Sequence, residues 1–121
     1  MMARYTFLGY KKCSTSRKAQ TWLDDHGIEY EWRDMIQENP NADELKEWHS
    51  LSGLPIRRLF NTSGVLYREQ NVKQQLDAGM DEEDAYRLLA TDGKMVRRPI
   101  LLGKDFAFFG FREQEWEEKL L

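Results

Sequence analysis

The chain has 121 residues, of which 40% are hydrophobic and 32% charged, a composition typical of one globular domain and unlike a disordered chain. Its formal net charge of −3 argues against a general nucleic-acid-binding function. One cysteine and two histidines exclude an internal disulfide framework and disfavour a structural metal site. Because no apolar run is long enough to cross a bilayer and no signal-peptide pattern is visible, we expect a cytoplasmic protein without membrane or direct nucleic-acid contact.

The first part of the chain predicts a strand, a helix and a second strand. Residues 4–8 are rich in aromatic and branched side chains, which favours a buried strand. Apolar residues recur at helical spacing over residues 14–26, and Gly27 is a plausible end of that helix. Residues 28–33 alternate between apolar and polar side chains, as in a strand with one solvated face. A βαβ unit with parallel strands follows from this order.

The middle of the chain, residues 40–93, predicts only helices. Asn41 or Asp43 can cap a first helix that ends near Gly53, and Pro55 suits the first turn of a short second one. Further short helices are expected around residues 65–67 and 72–76. The acidic residues 81–84 suit the start of another helix, which ends at residues 92–93. Residues 99–102 and 106–109 then predict a pair of strands joined by a turn, and residues 112–120 predict a final helix.

The only cysteine, Cys13, lies where the first predicted strand gives way to the first helix. Unpaired backbone N–H groups and the helix dipole favour a thiolate at this position. Lowering a thiol pKa from about 8.5 to about 6.5 requires about 2.7 kcal/mol, of which the dipole contributes only about 0.3–1 kcal/mol. The remainder must come from neighbouring donors and cations, for which the local candidates are Lys11, Lys12, Ser14, Thr15, Ser16 and Arg17. The alternative is a buried, unreactive thiol.

Three motifs carry a resemblance to a known family: Cys13-Ser14-Thr15-Ser16-Arg17 after the first strand, residues 59–64 followed by Tyr67-Arg68, and residues 96–100 with the sequence Val-Arg-Arg-Pro-Ile. Over essentially its full length the chain resembles the arsenate reductase (ArsC) and Spx-like proteins of the thioredoxin-fold superfamily. The resemblance implies an α/β fold with a thioredoxin-like mixed four-stranded sheet and an inserted all-helical subdomain. It implies one domain over residues 1–121, with residues 1–38 and 95–121 forming the sheet part and residues 40–94 the helical insertion.

The resemblance also implies a site. Cys13 is then the nucleophile, Ser16 and Arg17 stabilise its thiolate, and Arg98 binds an oxyanion. Pro99, which is typically cis in this family, and Lys12 are expected to support the site. No bound cofactor or metal is expected, and glutathione or glutaredoxin is the implied thiol donor for a small oxyanion, thiol or disulfide substrate.

Two positions depart from the glutaredoxin-coupled arsenate reductases. Where those enzymes carry two further substrate arginines, this chain has Asn61 and residues 109–111, with Arg57, Arg58 and Arg112 nearby. A second functional class is therefore kept: an Spx-like redox-responsive regulator that binds the RNA polymerase α subunit. A third alternative is an inactive scaffold in which the cysteine has no role. An ordinary thiol pKa would favour that scaffold.

Overall fold

The structure, a computed structural model, describes residues 4–121 and begins with the predicted βαβ unit. Strand β1 (Thr6–Gly9) leads into helix α1 (Ser14–Asp25), and strand β2 (Glu31–Asp34) pairs with β1 in parallel. Strand β2 begins three residues later than the alternation predicts. The physical reason is that the Ile28 N–H donates to the Leu23 carbonyl at 3.0 Å and so completes the helix end instead of joining the sheet.

Helices alone follow β2, as the sequence predicts. They are α2 (Ala42–Ser52), a 3₁₀ turn (Ile56–Leu59), α3 (Val65–Glu69), α4 (Val72–Asp77), α5 (Glu82–Leu89) and a second 3₁₀ turn (Gly93–Met95). Asn41 caps α2: its side-chain oxygen accepts the Glu44 N–H at 2.8 Å, and the Glu44 carboxylate accepts the Asn41 N–H at 3.1 Å. Within residues 4–121, no helix has the length and apolar character needed to span a membrane.

Strands β3 (Ile100–Leu102) and β4 (Ala107–Phe109) complete the sheet, and helix α6 (Glu113–Leu120) closes the described chain. The strand order is β2-β1-β3-β4, with β1–β3 and β3–β4 antiparallel. The sheet is therefore mixed and four-stranded, and the predicted thioredoxin-like fold is confirmed.

The sheet separates two hydrophobic cores. Phe7 and Leu101, which pair across β1 and β3, are fully buried on the face covered by α1 and α6. Leu8 and Ile100, the next pair along, are fully buried on the face covered by the inserted helices. Alternate side chains of a strand point to opposite faces, so β1 is anchored on both sides. Each of these side chains contributes about 1.5–3 kcal/mol by leaving water.

Backbone contacts fasten the helical segment to the strand that precedes β3. Phe60 and Val96 form an isolated antiparallel bridge, in which the Arg97 N–H donates to the Leu59 carbonyl at 2.9 Å. Gly93 was expected only to end a helix, yet it is buried against the residue that follows β2: a Cβ there would lie 1.9 Å from the Met35 carbonyl oxygen. These contacts bring the segment around residue 58 beside residues 94–98, which no local sequence pattern predicts.

Candidate active site

Cys13 is the N-cap residue of α1, as the sequence predicts, and its side chain is half-buried. Its backbone is extended (φ −94°, ψ 121°), and its carbonyl accepts the first helical bond from the Arg17 N–H at 3.1 Å. The Cys13 N–H donates to the Tyr10 carbonyl at 2.9 Å, which closes the turn before the helix. The thiol therefore lies beside the unpaired N–H groups of the first helical turn.

The surroundings of the Cys13 thiol lower its pKa below the ordinary value. Partial burial acts in the opposite direction and raises the pKa, but it is outweighed by the N–H and the hydroxyl of Ser16, by the positive charge of Arg98 and by the N–H of Thr15. A larger fraction of the sulfur is therefore ionised near neutral pH than in an ordinary thiol.

The position of the Ser16 side chain leaves its hydroxyl proton free to interact with the Cys13 sulfur. The side chain is only 2% exposed, and its oxygen accepts the Tyr10 N–H at 3.2 Å. Because the oxygen is used as an acceptor there, the hydroxyl proton is free to be donated to the Cys13 sulfur. The structure thus places the predicted residue Ser16 in the helical turn that begins at Cys13.

Arg98, which lies just before strand β3, lines the same pocket as Cys13. Its guanidinium carbon lies 5.4 Å from the centre of the Tyr10 ring, a cation–π distance. The peptide bond between Arg98 and Pro99 is cis, as the resemblance implies, and Pro99 is buried. The Pro99 carbonyl accepts the Gly110 N–H at 2.7 Å, which ties this segment to the end of β4.

Cys13 and Arg98 open into one pocket of about 1040 Å³. Five cationic side chains and a single carboxylate, that of Asp92, line it. The cations are Arg58, Lys94, Arg97, Arg98 and Arg112. The remaining wall is formed by Tyr10, Thr15, Asn61, Ser63, Gly64, Val65, Leu66, Phe109, Gly110 and Phe111. The site is strongly electropositive although the chain as a whole has a net charge of −3.

Sequence reasoning assigned no role to Lys94 or Arg97 and indicated Arg58 and Arg112 only as arginines near the departing positions. Arg97 is half-buried, and its Nε donates to the Arg58 carbonyl at 2.9 Å. Burial lowers the pKa of Arg97, and the charges of Arg58 and Arg112 lower it further. Asn61 lines the pocket without a charge, and Arg58 and Arg112 line it as well. The arginines near the two departing positions were therefore the sequence signal that could have predicted the cationic pocket.

Two of the predicted residues lie elsewhere. Arg17 is exposed and lines a neighbouring groove of about 480 Å³ together with Trp22 and Phe111. It is not among the groups that lower the pKa of Cys13. Lys12 is exposed and does not line the pocket. The structure therefore brings Cys13, Ser16 and Arg98 together, with the buried Pro99 next to Arg98. It does not bring Lys12 or Arg17 into the pocket.

Comparison with known proteins gives four findings. The model of the ArsC family matches residues 8–119. The chain is 44% identical to an ArsC-family-related protein from Bacteroides fragilis, whose structure superposes with a TM-score of 0.92 over 98% of both chains. It is 35% identical to a possible arsenate reductase from Streptococcus mutans, with a TM-score of 0.85 over 95% of this chain and 98% of that one. It is also 29% identical to the global transcriptional regulator Spx of Staphylococcus saprophyticus, over 85% of this chain and 76% of Spx.

Proposed function

The chain belongs to the ArsC family, and from this premise we propose that it is a thiol-dependent oxidoreductase of the arsenate reductase type. In this proposal the Cys13 thiolate attacks an oxidised substrate, an oxyanion or a disulfide, and an external thiol regenerates it. One observation carries the proposal: a thiol whose pKa is lowered opens into the same pocket as Arg98 and four other cations. A nucleophile and a binding site for an anion are thereby placed side by side.

Each group has a defined part in the attack. Ser16 and the N–H of Thr15 favour the thiolate form of Cys13 and so lower its pKa. Arg98 attracts an anionic substrate to the sulfur. Stacking of its guanidinium on Tyr10 limits where that charge can move.

The route back to the free thiolate must involve a second molecule. The chain has one cysteine, so Ser16 cannot resolve a mixed disulfide as a second thiol would. Glutathione or a glutaredoxin is the proposed donor, and a reducing cytoplasm would provide either. This dependence distinguishes the proposed enzyme from one that cycles through an internal disulfide.

Alkylation of Cys13 by iodoacetamide, measured as a function of pH with and without arsenate, tests the proposal. The same protein unfolded in denaturant gives the reference reactivity of Cys13 without the fold. We expect native Cys13 to react faster than the reference below neutral pH, and we expect arsenate to slow it. Reaction at the reference rate, with no protection by the anion, would reject the proposed chemistry.

The likeness to Spx supports a second candidate, a regulator that binds RNA polymerase. The single cysteine argues against a switch that works through an internal disulfide, so this candidate ranks below thiol chemistry. A pull-down with the C-terminal domain of the polymerase α subunit separates the two. Retention of the α subunit by the wild-type chain, together with an ordinary Cys13 reactivity, would favour the regulator. An ordinary reactivity with no retention would leave the inactive scaffold.

A further inference from the structure

We propose that the substrate of Cys13 is an organic disulfide that carries two or more carboxylates, rather than a small inorganic oxyanion. The inference rests on the proposed thiol chemistry and deepens it by choosing between its two substrate classes. Three features of the pocket support the choice: its size, the number and spread of its unpaired cations, and its apolar wall.

The size of the pocket suits an organic molecule. Pockets that bind drug-sized organic ligands measure about 300–1,000 Å³, and the pocket beside Cys13 measures about 1040 Å³. A tetrahedral oxyanion held next to the sulfur and Arg98 would leave most of this volume, including the region lined by Asn61 and Val65, to water. A disulfide with a peptide-like body on each side of the sulfur atoms would occupy it.

The cations of the pocket are unpaired. Within residues 4–121, the cations engaged in ion pairs are Arg33, Lys46, Arg57, Arg87 and Lys119, and none of these lines the pocket. Five cations therefore face a single protein carboxylate there. Like charges held this close repel one another, and an anionic ligand relieves the repulsion.

The spread of these charges favours several anionic groups rather than one. The cations come from separate parts of the fold: Arg98 directly precedes Pro99 and β3, Arg58 lies in the first 3₁₀ turn, and Arg112 is the N-cap residue of α6. The positive charge is therefore contributed by several elements around the pocket. Guanidinium groups bind carboxylates in two-pronged geometry, so separate carboxylates on one ligand can each find a partner.

The apolar part of the wall gives the carbon skeleton of such a ligand something to contact. Val65 is 56% exposed, one of only two large hydrophobic side chains so exposed among the residues that the structure describes. It lines the pocket together with Leu66, Phe109 and Phe111. Covering these side chains favours a ligand with an organic body, because burial of apolar surface is favourable, and an inorganic anion gains nothing from them.

The proposed step is a thiol–disulfide exchange. The Cys13 sulfur anion attacks one sulfur of the disulfide, a new S–S bond to Cys13 forms, and the other half of the disulfide leaves as a thiolate. A thiolate other than the one released then attacks the substrate-derived sulfur that is bound to Cys13. That reaction restores the Cys13 thiolate and releases a disulfide between that sulfur and the incoming thiol. The net reaction exchanges one thiol of the substrate disulfide for another, so it needs no further oxidant or reductant.

A series of disulfides that differ in charge tests the inference on the full chain. Oxidised glutathione is anionic, bis(2-hydroxyethyl) disulfide is neutral and cystamine is cationic. The rate at which each forms a mixed disulfide at Cys13 is measured by mass spectrometry and divided by its rate with a short cysteine peptide. We expect the normalised rate to be about tenfold or more higher for oxidised glutathione than for cystamine, and to converge at high salt.

Variants locate the preference in the pocket. Arg58→Gln and Arg112→Gln should each reduce the preference for oxidised glutathione several-fold. Arg57→Gln is the matched control, since Arg57 is the neighbour of Arg58 but pairs with Asp77 outside the pocket. The alkylation profile of Cys13 in the same variants distinguishes a weaker preference for the anionic disulfide from a change in the thiol itself.

The outcomes separate this inference from the function on which it rests. Equal normalised rates for the three disulfides, with Cys13 still reacting faster than the peptide, would overturn the substrate class and leave the thiol chemistry standing. Protection by arsenate with no charge preference among disulfides would assign the pocket to an oxyanion. Exchange at the peptide rate with every disulfide, and no effect of arsenate, would overturn both proposals.

Discussion

Replacing Ser16 with alanine should raise the pKa of Cys13 more than any other single change near the thiol. The N–H and the hydroxyl of Ser16 are the two largest influences that lower the pKa of Cys13. Alanine removes the hydroxyl and keeps the N–H, so only part of the support is lost. The Tyr10 N–H also loses its acceptor at 3.2 Å, which should cost about 1 kcal/mol in the free energy of unfolding.

The size of the pKa change follows from the energy of a hydrogen bond to a charged group. Such bonds contribute about 1.5–3 kcal/mol. Because Cys13 is half-exposed, water replaces part of the lost interaction, and we expect an effect near the lower end of this range. At a pH where the wild-type thiol is mostly protonated, the alkylation rate should then fall by about tenfold, in proportion to the thiolate fraction, and by less at higher pH.

The assay is the pH dependence of iodoacetamide alkylation, followed by intact-protein mass spectrometry. Ser14→Ala is the matched control, since Ser14 is an exposed serine in the same helical turn that does not contribute to the pKa of Cys13. Arg98→Gln should raise the pKa by a smaller amount than Ser16→Ala, and Arg17→Gln should leave it unchanged. The reasoning fails if Ser16→Ala behaves like Ser14→Ala, or if Arg17→Gln has a larger effect than Arg98→Gln.

Three further changes test other parts of the structure. Tyr10→Leu should raise the pKa of Cys13 by a few tenths of a unit through loss of the ring under the guanidinium, whereas Tyr10→Phe should not, as alkylation profiles would show. Gly93→Ala should destabilise the fold by about 3 kcal/mol or more, seen in thermal unfolding, because its Cβ would meet the Met35 carbonyl at 1.9 Å; unchanged stability would contradict the contact. The hydrogen bond from Arg33 lowers the pKa of Glu44 in the folded protein. The contribution of this pair to the free energy of unfolding is therefore complete above the pKa of Glu44 in the unfolded chain, and it is lost as the pH falls through the lower pKa of the folded protein. Glu44→Gln should remove this acid dependence from the unfolding curve.

The sequence was sufficient for the elements that depend on local patterns. Asn41 was one of the two predicted caps of α2, with Asp43 the other, and the strand–helix–strand order predicted the parallel pairing of β1 and β2. Cys13 at the start of α1 followed from the change of pattern after Gly9. These features involve residues close in sequence, so short stretches carry the information.

The arginine-rich wall of the pocket could not be predicted in the same way. Arg58 and Arg97 are 39 residues apart, and they meet because the segment after the first 3₁₀ turn pairs with the segment before β3. Close by, Gly93 is buried against Met35, for which the sequence shows only a glycine after an aspartate. Arg17 shows the converse: proximity in sequence to Cys13 suggested a contact, but its side chain lies along another groove.

The pKa of Cys13 in the native protein tests the central claim most directly. It can be measured from the ultraviolet absorbance of the thiolate as a function of pH, with Cys13→Ser as the blank and the unfolded chain as the reference. The account predicts a native pKa below that of the unfolded chain, because Ser16 and Arg98 outweigh the cost of burial. A native value equal to or above the unfolded one would contradict it.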